Sequence, residues 1–195
     1  MKTDELVALL SGGALPVEPH LVARRFTLAL GLGGLGAVLL MALAMGVRPD
    51  ISGALQLPVF WMKLAFPATL AAAGLVAAEH LSRPGMRVGG VWFALALPLL
   101  LVWLMAMVSW VDAAPGERQA LVLGTSWELC PLSIAVVSIP VFIALFWAMK
   151  GMAPTRPVLA GAGAGLVAGA VGAFAYAFHC TEMAAPFVAI WYVAG

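Results

Sequence analysis

The amino-acid sequence predicts an all-α fold, a polytopic transmembrane helical bundle of six spans with the last span truncated or incomplete. Apolar residues make up 64% of the 195 residues and charged residues only 10%, and the mean hydropathy is +1.05. A chain this short cannot cover so much apolar surface with so few charges, so membrane lipid must cover it. The net charge of +1 gives no basic field for nucleic acid, and we expect no direct DNA binding.

Five stretches are long and apolar enough to span a bilayer, which takes about 20 residues. These stretches are 26–46, 60–81, 88–111, 131–149 and 157–178. A sixth begins at Pro186 and reaches Gly195 after too few residues to cross the hydrocarbon. Either the chain is cut inside a helix, or this segment enters only the membrane interface.

Lysine and arginine residues predict the orientation, because cytoplasmic loops retain them. With the N-terminus inside, seven lie on the inner side: Lys2, Arg24, Arg25, Arg83, Arg87, Lys150 and Arg156. Three lie on the outer side: Arg48, Lys63 and Arg118. We therefore expect a cytoplasmic N-terminal segment, 1–23, followed by a multi-pass transmembrane domain, 24–195.

Two glycine patterns lie inside the predicted spans. The run from Gly31 to Gly36 matches a dinucleotide-binding pattern, but that motif needs a preceding strand and an aqueous turn, so we interpret it as a helix-packing surface. Gly161, Gly165 and Gly169 recur every four residues and predict a smooth face on which another helix can approach.

Ionisable residues are scarce within the spans. None of the three histidines lies in the middle of a span, so the paired axial ligands of a membrane haem are missing. Lys63 comes closest to the role of an intramembrane charge, but it lies within a turn of the outer surface beside Trp61. We expect Lys63 to be an interfacial anchor rather than a transport residue.

Two cysteines lie at the outer ends of neighbouring spans. Cys130 begins the fourth span and Cys180 ends the fifth, and the short connecting loop makes these two spans an antiparallel hairpin, so the thiols can approach each other. With His179, Glu182 and Glu128 nearby, they could ligate a soft metal ion or form an oxidisable dithiol. A structural disulfide or two inert thiols are the alternatives.

The N-terminal segment predicts a short amphipathic helix. Thr3 can cap it, and two acidic residues complement its first turn. Its apolar residues are Leu6, Val7, Leu9 and Leu10. A helix of about ten residues is marginal alone in water, so this apolar stripe requires either the membrane interface or a protein partner. The acidic polar face favours a protein partner over a membrane surface.

The chain resembles the NrsF-type membrane anti-sigma factors of proteobacteria over essentially its whole length. The residues that carry the resemblance are Met1–Leu6, Gly46–Asp50, Phe60–Leu64, Pro115–Arg118, Leu123–Trp127, Cys130-Pro131, Ala153–Pro157, His179-Cys180 and Phe187–Tyr192. The resemblance implies a six-span protein of the bacterial inner membrane that holds an extracytoplasmic-function sigma factor inactive. In that family the sixth span continues beyond the position of Gly195.

The resemblance also implies roles for the two features that the residues single out. Leu6, Val7, Leu9 and Leu10 would bind the sigma factor, and Cys130 and Cys180 would respond to stress outside the membrane. We expect no enzyme activity and no resident cofactor; a heavy-metal ion held by Cys130, Cys180 and His179 is a candidate signal. A thiol and quinone oxidoreductase is the alternative, weakened because the sequence has no Cys-x-x-Cys pair, and a small transporter is another.

Overall fold

The computed structural model describes residues 3–12, 20–82, 89–152, 154 and 156–195, and within these ranges every regular element is helical. The helices are α1 (Thr3–Gly12), α2 (Leu21–Ala44), α3 (Ile51–Ala54), α4 (Pro58–Leu81), α5 (Val91–Asp112), α6 (Arg118–Leu123), α7 (Cys130–Met149), α8 (Pro157–Tyr176) and α9 (Ala185–Phe187). A π-helical turn, Val188–Tyr192, follows α9.

Five of these helices, α2, α4, α5, α7 and α8, are long and apolar enough to cross a membrane. They correspond to the five predicted spans, with α2 beginning five residues earlier than expected, at Leu21. The predicted start of the third span at residue 88 lies outside the described residues, and α5 begins at Val91. The all-α prediction is confirmed, whereas a sixth span is not found among the described residues.

The C-terminal segment packs into the bundle. Phe187 and Ala189 have no exposed surface, and the Trp191 Nε1 donates a hydrogen bond to the Val122 carbonyl at 2.8 Å. This segment is therefore part of the protein core.

Local sequence sets where the long helices begin and end. Proline is the first residue of α4 and of α8, where its fixed φ suits a helix and its missing N–H has no partner to lose. Gly46 follows α2 with φ +80°, and its N–H donates to the Met41 carbonyl at 3.1 Å. Only glycine adopts that conformation without steric cost, so it closes the helix end.

The glycine run in α2 is a packing surface, as predicted. A Cβ on Gly33 would lie 2.8 Å from the Val141 Cα, and a Cβ on Gly36 would lie 3.0 Å from the Pro140 Cβ. Any larger side chain at these two positions would push α2 away from α7.

The prediction for α8 was wrong in its details. A Cβ on Gly161 or Gly165 would meet no atom within 4 Å, so these residues make no close helix contact. The close approach occurs at Gly172 instead, where a Cβ would lie 3.1 Å from the Ile134 carbonyl oxygen of α7. Gly172 lies on the same face of α8 as Gly161 and Gly165, because it follows them by close to three and two full helical turns. The four-residue spacing thus identified a smooth face, but the close approach occurs only at the C-terminal end of that face.

The bundle has two ends: the tail end, where the N-terminal segment 1–23 joins it, and the thiol end, which carries Cys130 and Cys180. At the tail end, α2 and α8 begin and α7 finishes, and Arg25 Nη1 of α2 donates to the Lys150 carbonyl at 3.0 Å. At the thiol end, α4 and α7 begin while α2, α5 and α8 finish. Two clusters of buried apolar side chains fill the bundle, one mainly between α2, α7 and α8 and the other mainly among α4, α5, α8 and the C-terminal segment.

Candidate functional site

The thiols of Cys130 and Cys180 lie together in the core at the thiol end. They are 0% and 3% exposed, both are free thiols, and they lie close enough for each to affect the ionisation of the other. Cys130 is the first residue of α7, and Leu129 occupies the capping position before it. The prediction that the two thiols approach each other is confirmed.

Cys180 lies four residues beyond the last residue of α8, and local geometry returns it to the bundle. Its N–H donates to the Tyr176 carbonyl at 3.0 Å, so the chain continues for another turn after α8.

Two buried cations hold the backbone at Cys180. Lys63 Nζ donates to the carbonyl oxygens of Cys180 at 2.8 Å and Glu182 at 2.7 Å, and Arg48 Nη1 donates to the same Cys180 oxygen at 3.3 Å. Lys63 is 3% exposed. The expectation that Lys63 anchors the protein at the interface was therefore wrong: its ammonium turns inward because two carbonyl oxygens and the face of Tyr192, 5.2 Å away, satisfy it there.

Arg48 is itself fixed by a carboxylate. Its Nε and Nη2 each lie 2.7 Å from an oxygen of Asp50, in a bidentate ion pair. The hydrogen bond from Arg48 lowers the pKa of Asp50, and the same bond raises the pKa of Arg48. The backbone N–H of Arg48 also donates to the Phe178 carbonyl at 3.0 Å, so the loop after α2 is tied to the segment that carries Cys180.

A second loop is tied to this segment by Glu182. Its Oε1 accepts hydrogen bonds from the Thr125 N–H at 2.8 Å and from the Thr125 Oγ1 at 2.7 Å. The carboxyl group lies over Gly124, where a Cβ would be 2.7 Å from the Glu182 Cδ. Gly124 also has φ +54°, so both its backbone conformation and its neighbour require glycine.

The Tyr192 side chain completes the surroundings of the thiols. Its hydroxyl group is buried, and no group in the described part of the chain forms a hydrogen bond with it. Its ring lies 6.1 Å from that of Tyr176, and both side chains belong to the apolar cluster that contains Cys130 and Cys180. An ionisable thiol pair is thus enclosed by aromatic rings with one ammonium group beside it.

The two thiols are not equivalent. The neighbouring Cys130 thiol lowers the pKa of the Cys180 thiol, burial opposes this effect, and the nearby Lys63 ammonium adds to the lowering. Since the thiolate is the form that attacks electrophiles and binds soft metal ions, the arrangement favours Cys180 as the reactive sulfur of the pair.

In the part of the chain that the structure describes, no third metal-ligating side chain lies beside the two thiols. His179 points its Nδ1 to the Gly46 carbonyl oxygen, 2.9 Å away, and Glu128 is exposed. Among the described residues no group of three His, Cys, Asp or Glu side chains is placed to hold a metal ion. The geometry thus presents two sulfur donors only, a set suited to a soft ion of low coordination number.

The predicted sigma-binding residues belong to a different part of the chain from the thiols. Leu6, Val7 and Leu9 lie on α1 and are 41%, 58% and 70% exposed. The side chain of Leu10 lies outside the described residues. α1 is the helix before α2 in the chain. Residues 13–19, between them, also lie outside the described ranges.

Sequence reasoning missed three residues of the thiol end: Arg48, Lys63 and Tyr192. A signal for Lys63 was present, because a lysine inside an apolar span is costly unless partners satisfy it. The other two come from the loop after α2 and from the C-terminal segment. Only the packing of these two segments brings them to the thiols.

The chain is similar to known proteins over its whole length. Residues 10–195 match a protein family, NrsF, described as negative regulator of sigma F. The chain is 48% identical to the probable anti-sigma-F factor NrsF of Azospira oryzae over 195 residues. It is 38% identical to the anti-sigma-F factor NrsF of Caulobacter vibrioides over 201 residues. Each match covers 100% of this chain and 92% of the relative. No solved structure matches.

The family match covers nearly the entire chain, and both relatives are well above 30% identical to it. The structure adds an exposed N-terminal helix and a bundle of apolar helices. The chain belongs to the NrsF family of anti-sigma factors, which are negative regulators of a sigma factor.

Proposed function

We propose that this protein is a membrane-embedded anti-sigma factor that binds an extracytoplasmic-function sigma factor through α1 and releases it when Cys130 and Cys180 react. The observation that carries the proposal is the separation of two features along the bundle. An exposed leucine-bearing helix precedes the tail end, and a buried thiol pair lies at the opposite end.

The placement in the bacterial inner membrane is supported by the five apolar helices and by the lysine and arginine distribution. With the N-terminus in the cytoplasm, α1 meets the transcription machinery and the thiols lie near the oxidising compartment. α7 has 20 residues, so the two ends are separated by about 30 Å of helix rise.

The α1 surface suits a protein partner. Leu6, Val7 and Leu9 present apolar area on a ten-residue helix that carries Asp4 and Glu5 in its first turn. Burying a leucine of this kind contributes about 1.5–3 kcal/mol, so two or three such contacts supply a substantial share of a binding free energy. An amphipathic helix that docks its apolar face in a groove is a common recognition mode.

A signal can pass from the thiols to α1 only through an element whose packing is affected at both ends of the bundle, and α7 is the candidate. It begins at Cys130, and its last turn meets Arg25, which lies shortly after the tail, through the Lys150 carbonyl. A disulfide or a bridging metal ion between the sulfur atoms would restrain α7 against the segment that follows α8. Such a restraint releases the sigma factor if it favours a packing that binds the sigma factor less well.

The first experiment tests α1. The double substitution Leu6→Asp and Leu9→Asp should weaken binding of the cognate sigma factor by at least about tenfold, since each change removes apolar burial worth more than the ~1.4 kcal/mol that a tenfold change represents. Binding is measured with the full-length protein in detergent. Thr3→Asp adds one negative charge to the same helix at its favourable end, without removing a leucine, and should bind as the wild type does. Unchanged binding of the leucine double variant would remove α1 from the interface.

The second experiment tests the thiols. Cys130→Ser and Cys180→Ser should each abolish release of the sigma factor by a thiol oxidant or a thiophilic metal ion. Met183 provides a matched control, because its sulfur lies beside Arg48 at the same end and is also oxidisable. Met183→Leu should retain the response. A response that survives in both serine variants, or that is lost in Met183→Leu alone, would assign the sensing to another group.

A further inference from the structure

A cavity of about 660 Å³ lies between α4 and α5. Its floor is formed by buried residues, among them Phe66, Val102 and Val188, while Leu97 and Leu101 at its mouth are more than half exposed. Because α4 and α5 are both apolar enough to cross a membrane, the mouth would open sideways into the hydrocarbon. The volume lies within the range of small-molecule sites, roughly 300–1,000 Å³.

The cavity is elongated along the helices. Its lining on α4 extends from Val59 to Val76, which is about 26 Å of helix rise. Small alanine side chains on both helices leave the space unfilled, and each helix contains an internal proline, Pro67 or Pro98, a residue that bends helices. The shape suits a chain-like molecule.

The two ends of the cavity differ in chemistry. At the thiol end it is lined by Lys63 and by three methionines, Met62, Met105 and Met183. Methionine sulfur is polarisable and packs well against flat unsaturated rings. Toward the tail end the walls are aliphatic, with residues such as Val76 and Leu97. One end therefore suits a ring and the other an aliphatic tail.

Hydrogen-bonding groups in the lining restrict the head of the ligand. The Thr69 hydroxyl is held by its own helix, at 2.9 Å from the Ala65 carbonyl oxygen and 2.8 Å from that of Phe66. Lys63 Nζ uses two of its three N–H groups on the Cys180 and Glu182 carbonyls. A third N–H can still donate, so the head should carry hydrogen-bond acceptors.

Charge at this end disfavours an anionic head. Its carboxylates, Asp50, Asp112, Glu117, Glu128 and Glu182, outnumber its cations, Arg48, Lys63 and Arg118. The Lys63 ammonium is already stabilised by carbonyl oxygens and a tyrosine ring. An uncharged head is therefore favoured over a fatty-acid carboxylate or an anionic lipid phosphate.

We infer that the cavity between α4 and α5 binds an isoprenoid quinone, with its carbonyl-bearing ring beside Lys63 and the methionines and its tail along the aliphatic walls. This inference goes beyond sigma-factor binding and shares with it only the membrane placement of the bundle. The wall of the cavity includes Met183 and Val188, from the segment that carries Cys180 and Tyr192. Occupancy of the cavity would therefore contact the same segment that holds the reactive thiol.

The test uses the full-length protein in phosphatidylcholine nanodiscs and a photoreactive azido-quinone with a short isoprenoid tail. Labelled peptides should come from α4 and α5, and an unlabelled quinone with the same tail should displace the probe. Oleic acid should not displace it. Displacement by oleic acid as effective as that by the quinone would mean that the cavity holds acyl chains, and the quinone assignment would be overturned.

Matched variants locate the probe. Ala94→Phe fills the cavity from α5 and should reduce labelling about tenfold, whereas Ala96→Phe, on the same helix but outside the lining, should change it less than about twofold. If Ala94→Phe fails to fold, Leu101→Trp at the mouth and Leu100→Trp beside it form a second pair. Equal labelling within both pairs would overturn the site. The assay contains no sigma factor, so its failure leaves the proposed sigma-factor binding unaffected.

Discussion

Replacing Lys63 by methionine should destabilise the thiol end specifically. The change removes two charge-assisted hydrogen bonds, at 2.8 Å to Cys180 and 2.7 Å to Glu182. A hydrogen bond from a charged donor contributes about 1.5–3 kcal/mol, so the two bonds together contribute about 3–6 kcal/mol, although the Cys180 oxygen keeps its bond from Arg48 at 3.3 Å. Relief from burying an ammonium group offsets part of the loss. We expect a net cost of about 2–4 kcal/mol.

The loss should be visible as opening of the C-terminal segment. Since ~1.4 kcal/mol is a tenfold change in an equilibrium, a loss of about 3 kcal/mol raises the open population roughly a hundredfold. The assay is the rate of maleimide labelling of Cys180 in detergent, in a Cys130→Ala background so that one thiol is followed. The apparent unfolding temperature, measured on the same samples, reports global stability.

Lys150→Met is the matched control for this prediction. It makes the same substitution at an exposed lysine at the tail end, where we expect an effect within about 0.5 kcal/mol. If Lys63→Met labels at the same rate and melts at the same temperature as Lys150→Met, the Lys63 ammonium does not hold the C-terminal segment in place, and the reasoning from its two hydrogen bonds is refuted.

Two further predictions concern the loops that enclose the thiols. Gly124→Ala should lower the free energy of unfolding by about 1–3 kcal/mol, because it forces a positive φ on alanine and places a Cβ against the Glu182 carboxyl group. The control is Gly116→Ala, whose Cβ would meet no atom within 4 Å and which should cost little. Equal melting temperatures of the two variants would contradict the proposed contact. The Arg48 hydrogen bond lowers the folded-state pKa of Asp50 below its ordinary 3.8, so the ion pair stabilises the fold above that value and the stabilisation is lost as the pH falls through the lowered pKa. Asp50→Asn should therefore reduce the loss of stability on acidification below about pH 4, and an acid profile identical to that of the wild type would show that this pair does not contribute.

Sequence alone determined the helical class, the five apolar helices, and the approach of the two thiols. Hydrophobic length specifies a span because the bilayer thickness is fixed, and a short connection forces α7 and α8 into a hairpin, so the positions of Cys130 and Cys180 follow from counting residues. The exposed leucines of α1 were also readable, because their pattern lies within one helix and needs no tertiary information.

Tertiary structure decided what surrounds the thiols. The ammonium of Lys63 turned inward because its acceptors are backbone carbonyls at Cys180 and Glu182, more than a hundred residues later in the chain. Carbonyl oxygens occur at every residue, so no sequence pattern could predict which of them accept hydrogen bonds from Lys63. The same holds for the close contact at Gly172 in place of Gly165: periodicity shows that a face is smooth, but only the packing of neighbouring helices decides where along that face a close contact forms.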